Sequence, residues 1–129
     1  MYYEIQTSIR GGLEPINETV SKIIGDTRDI INDEDVFFDL RLILNELLIN
    51  GFEHGNKCDC EKAVNLDLKI NTKDIEIVVE DEGEGFCYQK EMIDSLDLAT
   101  DGRGLILVMS LSDCLEIRDN IIRCVINRS

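Results

Sequence analysis

Leu44-Asn-Glu-Leu-Leu-Ile-Asn-Gly-Phe-Glu-His-Gly-Asn56 is the stretch that decides the fold, and it forms the second half of a long apolar segment. Glu46, Asn50 and His54 recur in it every four residues, so an α-helix would project all three side chains from one side. Taken alone, this pattern is what any solvated amphipathic helix shows. Its meaning therefore depends on the segments around it.

The bulk composition predicts a single folded domain over residues 1–129. A hydrophobic content of 43% with one proline argues for a buried core and against disorder. The formal net charge of −14 speaks against direct nucleic-acid binding and favours a basic protein partner. The chain begins without a basic and apolar leader and has no apolar run of membrane-spanning length, so we expect a cytoplasmic protein with no membrane partner.

The cysteines form an odd set without the spacing of a disulfide framework, and we expect them to be reduced and mostly buried. A zinc site at Cys58-Asp-Cys60 is the weaker interpretation, because no second cysteine pair accompanies it. The five positions are Cys58, Cys60, Cys87, Cys114 and Cys124.

Hydrophobic periodicity predicts the order strand, helix, helix, hairpin, lid-like loop, helix, hairpin. Polar alternation in the strands favours an antiparallel or mixed sheet with helices on one face, which is an α+β two-layer sandwich. Asp33 or Asp35 is a natural N-cap for the second helix, and Gly55 ends it. The predicted elements are strands at 2–9, 64–70, 75–80, 114–119 and 121–127, helices from about 14 to about 32, at 36–53 and at 105–111 (the last buried), a polar loop at 56–62, and an irregular segment at 86–101 with at best a short helix near 90–95.

A second motif, Asp81-x-Gly83-x-Gly85, directly follows an apolar strand. An aspartate at a strand end can accept a hydrogen bond from an exocyclic amine such as that of adenine. The glycines would let the backbone approach a flat ring without a Cβ in the way. An ordinary turn explains the same residues equally well.

A third motif, Gly102-Arg-Gly-Leu105, precedes an apolar helix. A glycine turn that opens a helix presents free N–H groups and a positive dipole end, which suits phosphate. The motif is neither a Walker loop nor a dinucleotide fingerprint, since Leu107 stands at the third glycine position of the latter. The alternative is a helix start that needs a flexible hinge, with Arg103 as a solvent-facing charge.

The order of these three motifs resembles the Bergerat-fold (GHKL-type) ATPases, and the resemblance covers nearly the whole chain. That superfamily contains gyrase-type topoisomerases, heat-shock chaperones, sensor histidine kinases and mismatch-repair ATPases. Asn50-Gly-Phe-Glu-His54-Gly55 is most similar to the small anti-sigma-factor serine kinases, which carry His-Gly there. Sensor histidine kinases usually show Lys or Arg at the position of Glu53. The segment Gly104–Asp113 also resembles the third helix of the anti-sigma group.

The resemblance implies roles for the residues of the first two motifs. Glu46 would be the general base towards a serine hydroxyl or water, and Asn50 would ligate the Mg²⁺ that bridges the phosphates. Asp81 would hold the adenine amine, with Gly83 and Gly85 packed beside it. Such a set is chemically sufficient, because phosphoryl transfer asks mainly for positioning and charge neutralisation.

For the third motif, the resemblance implies a lid that contacts the phosphates. Gly102 and Gly104 would hinge that lid and offer backbone N–H groups, with Arg103 and Leu105 beside them in the cofactor site. One departure concerns the last strand, where family members usually place a threonine that supports the adenine contact. Here the strand reads Ile121-Ile-Arg-Cys-Val-Ile126, without threonine.

The function that this resemblance implies is that of an ATP- and Mg²⁺-dependent serine/threonine kinase acting as an anti-sigma factor. Such a protein binds a sigma factor and phosphorylates an antagonist protein, and the resemblance also suggests a homodimer. An alternative is a module that senses ATP or ADP, or a stand-alone ATPase, without protein-kinase activity. A third hypothesis, an interaction domain that has lost nucleotide binding, is disfavoured because Glu46, Asn50, Asp81 and all four motif glycines occur together.

Overall fold

Alternating apolar and polar residues form the strands of an antiparallel sheet. The structure is a computed structural model, which describes this sheet and the helices packed on it over residues 2–83 and 100–128. Side chains are described at 2–83 and 106–128. The five described strands are β1 (Tyr3–Ile9), β2 (Val64–Ile70), β3 (Asp74–Asp81), β4 (Cys114–Arg118) and β5 (Ile121–Asn127). They lie in the order β1-β2-β3-β5-β4, and every neighbouring pair is antiparallel. The predicted strand bounds are confirmed to within one residue.

The helices are α1 (Leu13–Thr27), α2 (Glu34–Asn50) and α3 (Thr100–Leu111), and they cover one face of the sheet. Along β2 and β3 alternate side chains are fully buried against the helices, and those between them are half-exposed on the other face. Leu44, Leu47 and Leu48 of α2 are 0% exposed at the centre of the core. The predicted two-layer α+β sandwich is thereby confirmed.

The first helix ends at Thr27, earlier than the predicted end near residue 32. The Thr27 hydroxyl donates to the carbonyl oxygen of Ile23 at 2.8 Å, and the Thr27 carbonyl accepts from the N–H groups of Ile30 and Ile31 at 3.0 Å. The resulting turn still buries Ile31. Ile30 and Ile31 thus lie in a turn after the helix, but their spacing continues the helical pattern of apolar residues. The pattern therefore predicted a longer helix than the structure has.

The second helix begins where Asp33 caps it, which confirms the first of the two predicted caps. Asp33 Oδ1 accepts from the N–H groups of Asp35 at 2.9 Å and Val36 at 3.3 Å. The α-helical part of this second helix ends at Asn50, and a π-helical turn follows at Gly51–Gly55. The Asn56 N–H closes that turn by donating to the Gly51 carbonyl at 2.8 Å. The prediction of one α-helix to residue 53 is therefore wrong in its last turn.

The π-helical turn also corrects the predicted alignment of the first motif. A π-helix closes its hydrogen bonds over five residues, so side chains beyond Asn50 no longer follow the α-helical phase. Glu46 and Asn50 remain one turn apart on α2, whereas His54 lies in the wider turn. The three side chains therefore do not form one α-helical row.

The third helix begins at Thr100, so Gly102 and Gly104 lie inside it and not in a turn before it. Glycine destabilises a helix interior by about 1 kcal/mol relative to alanine, so a helix can still run through a glycine. The two glycines were therefore a poor signal for the start of this helix. The prediction of a buried helix is also wrong. Val108 is 0% exposed, but Ile106, Leu107 and Met109 are each 39% exposed. Gly85 and the short helix expected near 90–95 lie outside the described residues.

The described cysteines carry free thiols, but most of them are exposed. Only Cys124 among the four is buried, on the core face of β5, whereas Cys58, Cys60 and Cys114 lie in a loop or on the sheet edge. The expectation of mostly buried thiols is therefore wrong for this described set, in which Cys124 alone is buried. Cys87 lies outside the described residues.

Candidate functional site

The backbone of Asp81 is held in place at the end of β3 by a single residue of the β4–β5 turn. The Asp81 N–H donates to the Asn120 carbonyl at 3.1 Å, and the Asn120 side-chain amide donates to the Asp81 carbonyl at 2.6 Å. The preceding residue, Asp119, has φ 54°, a left-handed conformation that Asp tolerates better than most residues. Asp81 therefore starts from a fixed backbone.

The Asp81 carboxylate is enclosed between two glycines. Its Oδ1 accepts from the Gly83 N–H at 2.8 Å. A Cβ added at Gly55 would lie 2.1 Å from Oδ2 and 2.2 Å from Cγ of Asp81. A Cβ added at Gly83 would lie 2.1 Å from the Gly55 carbonyl oxygen. Residues 55, 81 and 83 thus interlock, and a side chain at either glycine would displace the carboxylate or the backbone beneath it.

The environment of this carboxylate raises its pKa. Burial is the largest cause, and the neighbouring Glu80 acts in the same direction. The Gly83 N–H and Lys62 oppose the shift by favouring the charged form. A half-buried carboxylate with one oxygen already satisfied is suited to accept a hydrogen bond from a ligand amine at the other.

Asn56 ties the π-helical turn to the strands that it crosses. The residue is 0% exposed, and its Nδ2 donates to the Ala63 carbonyl at 3.0 Å. Its Oδ1 accepts from the Glu82 N–H at 2.8 Å, and the Glu82 side chain accepts in turn from the Ala63 N–H. The sequence placed Asn56 in a polar loop and missed this role, because an asparagine after a helix-ending glycine is also an ordinary loop residue.

The π-helical turn lies across the ends of β2 and β3, which brings the first motif to the same end of the sheet as Asp81. A Cβ at Gly51 would lie 3.1 Å from Val64 and 3.6 Å from Val79. Gly51 is therefore in close contact with both strands. Asn50, the residue before it, is only 7% exposed.

Glu46 is partly buried one helical turn before Asn50, on the polar flank of α2. Within the described part of the chain, neither the Glu46 carboxylate nor the Asn50 amide has a side-chain hydrogen bond or ion pair. An amide oxygen is among the hard oxygen ligands that Mg²⁺ prefers, and magnesium sites commonly combine one or two protein ligands with phosphates and water. The side chains on this flank thus fit the roles that the resemblance implies.

The third motif lies in the first turns of α3, which packs beside α2. Gly102 is the third residue of the described helix, and the amides of a helix's first turn are the ones that can donate to a ligand. Gly104 lies in the second turn of the described helix, so these two glycines do not form the predicted turn before it. The side chains of Arg103 and Leu105 are outside the described set.

The departure on the last strand has a clear structural counterpart. Ile122 pairs with Val79, and Cys124 pairs with Ile77 one row further into the core. The core-facing position next to the end of β3 therefore carries no hydroxyl. Burial raises the pKa of the Cys124 thiol, whose sulfur lies 3.1 Å from the Ser112 hydroxyl at the end of α3.

The motif order, the sheet and the position of Asp81 define a class of protein, and residues 17–126 match the family model for the histidine kinase-like ATPase domain. The chain therefore belongs to that family, and an ATPase domain implies ATP binding. Proteins named Anti-sigma F factor from three strains of Clostridium perfringens are 30% identical to it over 84 residues. Those alignments cover 61% of this chain and 60% of each relative. Among the described residues, no helix combines the length and apolarity needed to cross a membrane.

Proposed function

We propose that this protein is an ATP-dependent serine/threonine kinase that acts as an anti-sigma factor and phosphorylates an antagonist of that activity. The observation that carries the proposal is the contact between Gly55 and Asp81. Gly55 belongs to the His-Gly pair that resembles the anti-sigma group, and Asp81 is the residue expected to hold adenine. The names of the relatives from Clostridium perfringens agree with this assignment.

The described residues would divide the chemistry among them. Asp81 Oδ2 would accept a hydrogen bond from the adenine amine, while Gly83 keeps the other oxygen in place. Glu46 would take the proton from the serine hydroxyl of the antagonist, and the Gly102 N–H would donate to a phosphate oxygen. Asn50 would hold Mg²⁺ through its amide oxygen. The ion, when bound, supplies the positive charge that a chain of net charge −14 otherwise lacks at this site.

Phosphate transfer to the antagonist tests this proposal directly. The purified chain is mixed with labelled Mg-ATP and the antagonist encoded by the same genome. We expect label on a serine or threonine of the antagonist, and at least a hundredfold slower transfer with Glu46→Gln, since general-base catalysis contributes about 10²–10⁴-fold. Glu53→Gln, on the adjoining turn, is the matched control. No transfer by the wild type, or equal transfer by both variants, would exclude the kinase assignment.

The absence of threonine from the last strand favours a second candidate, a module that senses ATP or ADP without protein-kinase activity. The hydroxyl with which family members usually support the adenine contact is missing from residues 121–126, which would alter nucleotide affinity. Thermal unfolding with Mg-ADP separates the two, because a ligand at one hundred times its Kd stabilises by roughly 2.7 kcal/mol. Stabilisation without phosphate transfer would select the sensing module. Sedimentation of the chain with and without nucleotide tests the homodimer, which we expect from the same resemblance.

A further inference from the structure

A groove runs between α1 and α2 on the side of α2 away from the proposed ATP site. Two adjoining cavities of about 410 and 430 Å³ form it, and both are lined by Arg28 and Arg41. We call these two cavities the arginine groove. At about 100° per residue, Arg41 and Glu46 are separated by about 140° around α2. The groove and the flank of α2 that carries Glu46 and Asn50, the proposed ATP-binding flank, are therefore different surfaces of one helix.

The charge of the groove is opposite to that of the chain. The chain carries 27 acidic residues against 13 lysines and arginines. Even so, the first cavity contains both arginines and no acidic residue, and the second contains only Glu34. Within residues 2–83 and 106–128, neither guanidinium forms an ion pair or a hydrogen bond with a carboxylate. Two unpaired guanidinium groups in an acidic protein are suited to carboxylates from another molecule.

One wall of the groove contains a glycine that the described packing of the chain does not require. Gly25 lies in the interior of α1, where glycine is less stable than alanine. Among the described residues, a Cβ built there meets no atom within 4 Å, and the φ of Gly25 is not positive. Neither packing nor backbone conformation in that part of the chain therefore requires glycine. A close approach by the backbone of a second polypeptide would require it. Ser21, one helical turn earlier, is exposed on the same wall and also has a small side chain.

Exposed aromatic surface extends the groove beyond the arginines. Phe38 is 63% exposed in the second cavity, and the Arg28 guanidinium lies over the Phe37 ring at 5.6 Å from its centroid. Arginine and aromatic side chains are the residues that dominate protein interfaces. A small anion would use the arginines alone, whereas this combination suits a polypeptide with both carboxylates and an apolar side chain.

We propose that the arginine groove docks an acidic, partly apolar segment of a partner protein. Carboxylates of that segment bind Arg28 and Arg41, its backbone passes over Gly25, and an apolar side chain packs on Phe38. The inference does not depend on the proposed kinase activity, because Glu46, Asn50 and Asp81 do not line the groove.

Nuclear magnetic resonance titration of the full chain tests the docking site. The probe is a synthetic helical peptide with Glu along one face and Leu along the other, and the matched peptide carries Lys in place of Glu. We expect the Glu peptide to shift amide signals in α1 and α2 around Gly25 and Arg41, with binding weakened by added salt. Arg28→Gln and Arg41→Gln should each weaken binding about tenfold, as loss of a charge-assisted hydrogen bond does. Gly25→Leu should abolish binding by filling the groove.

Three controls make the outcome decisive. Lys22→Gln removes one positive charge from α1 outside the groove and should leave peptide affinity unchanged. Urea unfolding of each variant verifies that it folds, and Mg-ADP stabilisation should equal that of the wild type, since the ATP-binding flank is untouched. Absence of shifts in the groove overturns the proposal. Equal binding of the Lys peptide, or an equal loss of affinity with Lys22→Gln, overturns it as well.

Discussion

Replacing Gly55 by alanine should destabilise the fold because its new methyl group collides with the Asp81 carboxylate. The added Cβ would lie 2.1 Å from Oδ2 and 2.2 Å from Cγ, more than 1 Å closer than van der Waals contact allows. The Asp81 backbone is held by Asn120, so the side chain must rotate away. That rotation gives up the hydrogen bond from Gly83, about 1.5–3 kcal/mol for a charged acceptor, and adds about 0.5–1.5 kcal/mol of rotamer strain.

We therefore expect Gly55→Ala to lower the free energy of unfolding by about 2–4 kcal/mol in urea denaturation. For a chain of 129 residues this corresponds to a Tm lower by roughly 8–16 °C. Gly25→Ala is the matched control, since its Cβ meets no atom of the described residues within 4 Å. That variant should gain about 0.5–1 kcal/mol from the better helix propensity of alanine.

A double-mutant cycle identifies the collision as the cause. In an Asp81→Ala background the obstructing carboxylate is gone, so Gly55→Ala should cost less than about 1 kcal/mol there. The coupling free energy between the two positions should then be about 2 kcal/mol. If the two substitutions are additive, or if Gly55→Ala and Gly25→Ala are equally stable, the proposed contact between Gly55 and the Asp81 carboxylate is refuted.

Two further predictions concern the same end of the sheet. Asn56→Ala should cost about 2–4 kcal/mol in urea unfolding, because it leaves the Ala63 carbonyl and the Glu82 N–H without their partner, whereas the exposed Asn32→Ala should change stability by less than about 0.5 kcal/mol. The raised pKa of Asp81 means that the native wild type binds the Asp81 proton more tightly than the unfolded chain does. The wild type should therefore lose stability as pH rises from below 3.8 through that raised pKa. Asp81→Asn has no such proton to lose, so its stability relative to the wild type should increase over the same pH range. A constant difference between the two proteins across that range would show that burial does not raise this pKa.

Much of the fold could be predicted because it depends on local patterns. Alternation along Val64–Ile70 is a property of consecutive residues, and the side chains of that strand do face alternately into the core and out of it. The cap at Asp33 likewise involves neighbours within three residues. The end of α1 was harder, because Ile30 and Ile31 reach the core through a turn that reproduces helical spacing.

The contacts that build the site could not be read in this way. Gly55 and Asp81 are each ordinary for a helix end and a strand end, and only the folded chain brings them together. The π-helical turn has no sequence signal in an apolar stretch, and its contact with Val64 and Val79 exists only in the folded chain. Motif order supplied the candidate residues, but it did not predict that Gly55 encloses the Asp81 carboxylate.

The two surfaces of α2 have a consequence for how a partner and ATP could bind together. The helix is fixed between them by a row of fully buried leucines, including Leu44 and Leu47. An α-helix with its side chains is about 10–12 Å across, and Arg41 and Glu46 point about 140° apart around it. A polypeptide in the arginine groove would therefore leave the flank of Glu46 and Asn50 accessible. Variants at Arg41 should then weaken partner docking without weakening nucleotide binding. Partner docking would lose a contact with a carboxylate, whereas the proposed nucleotide site would keep all of its described residues.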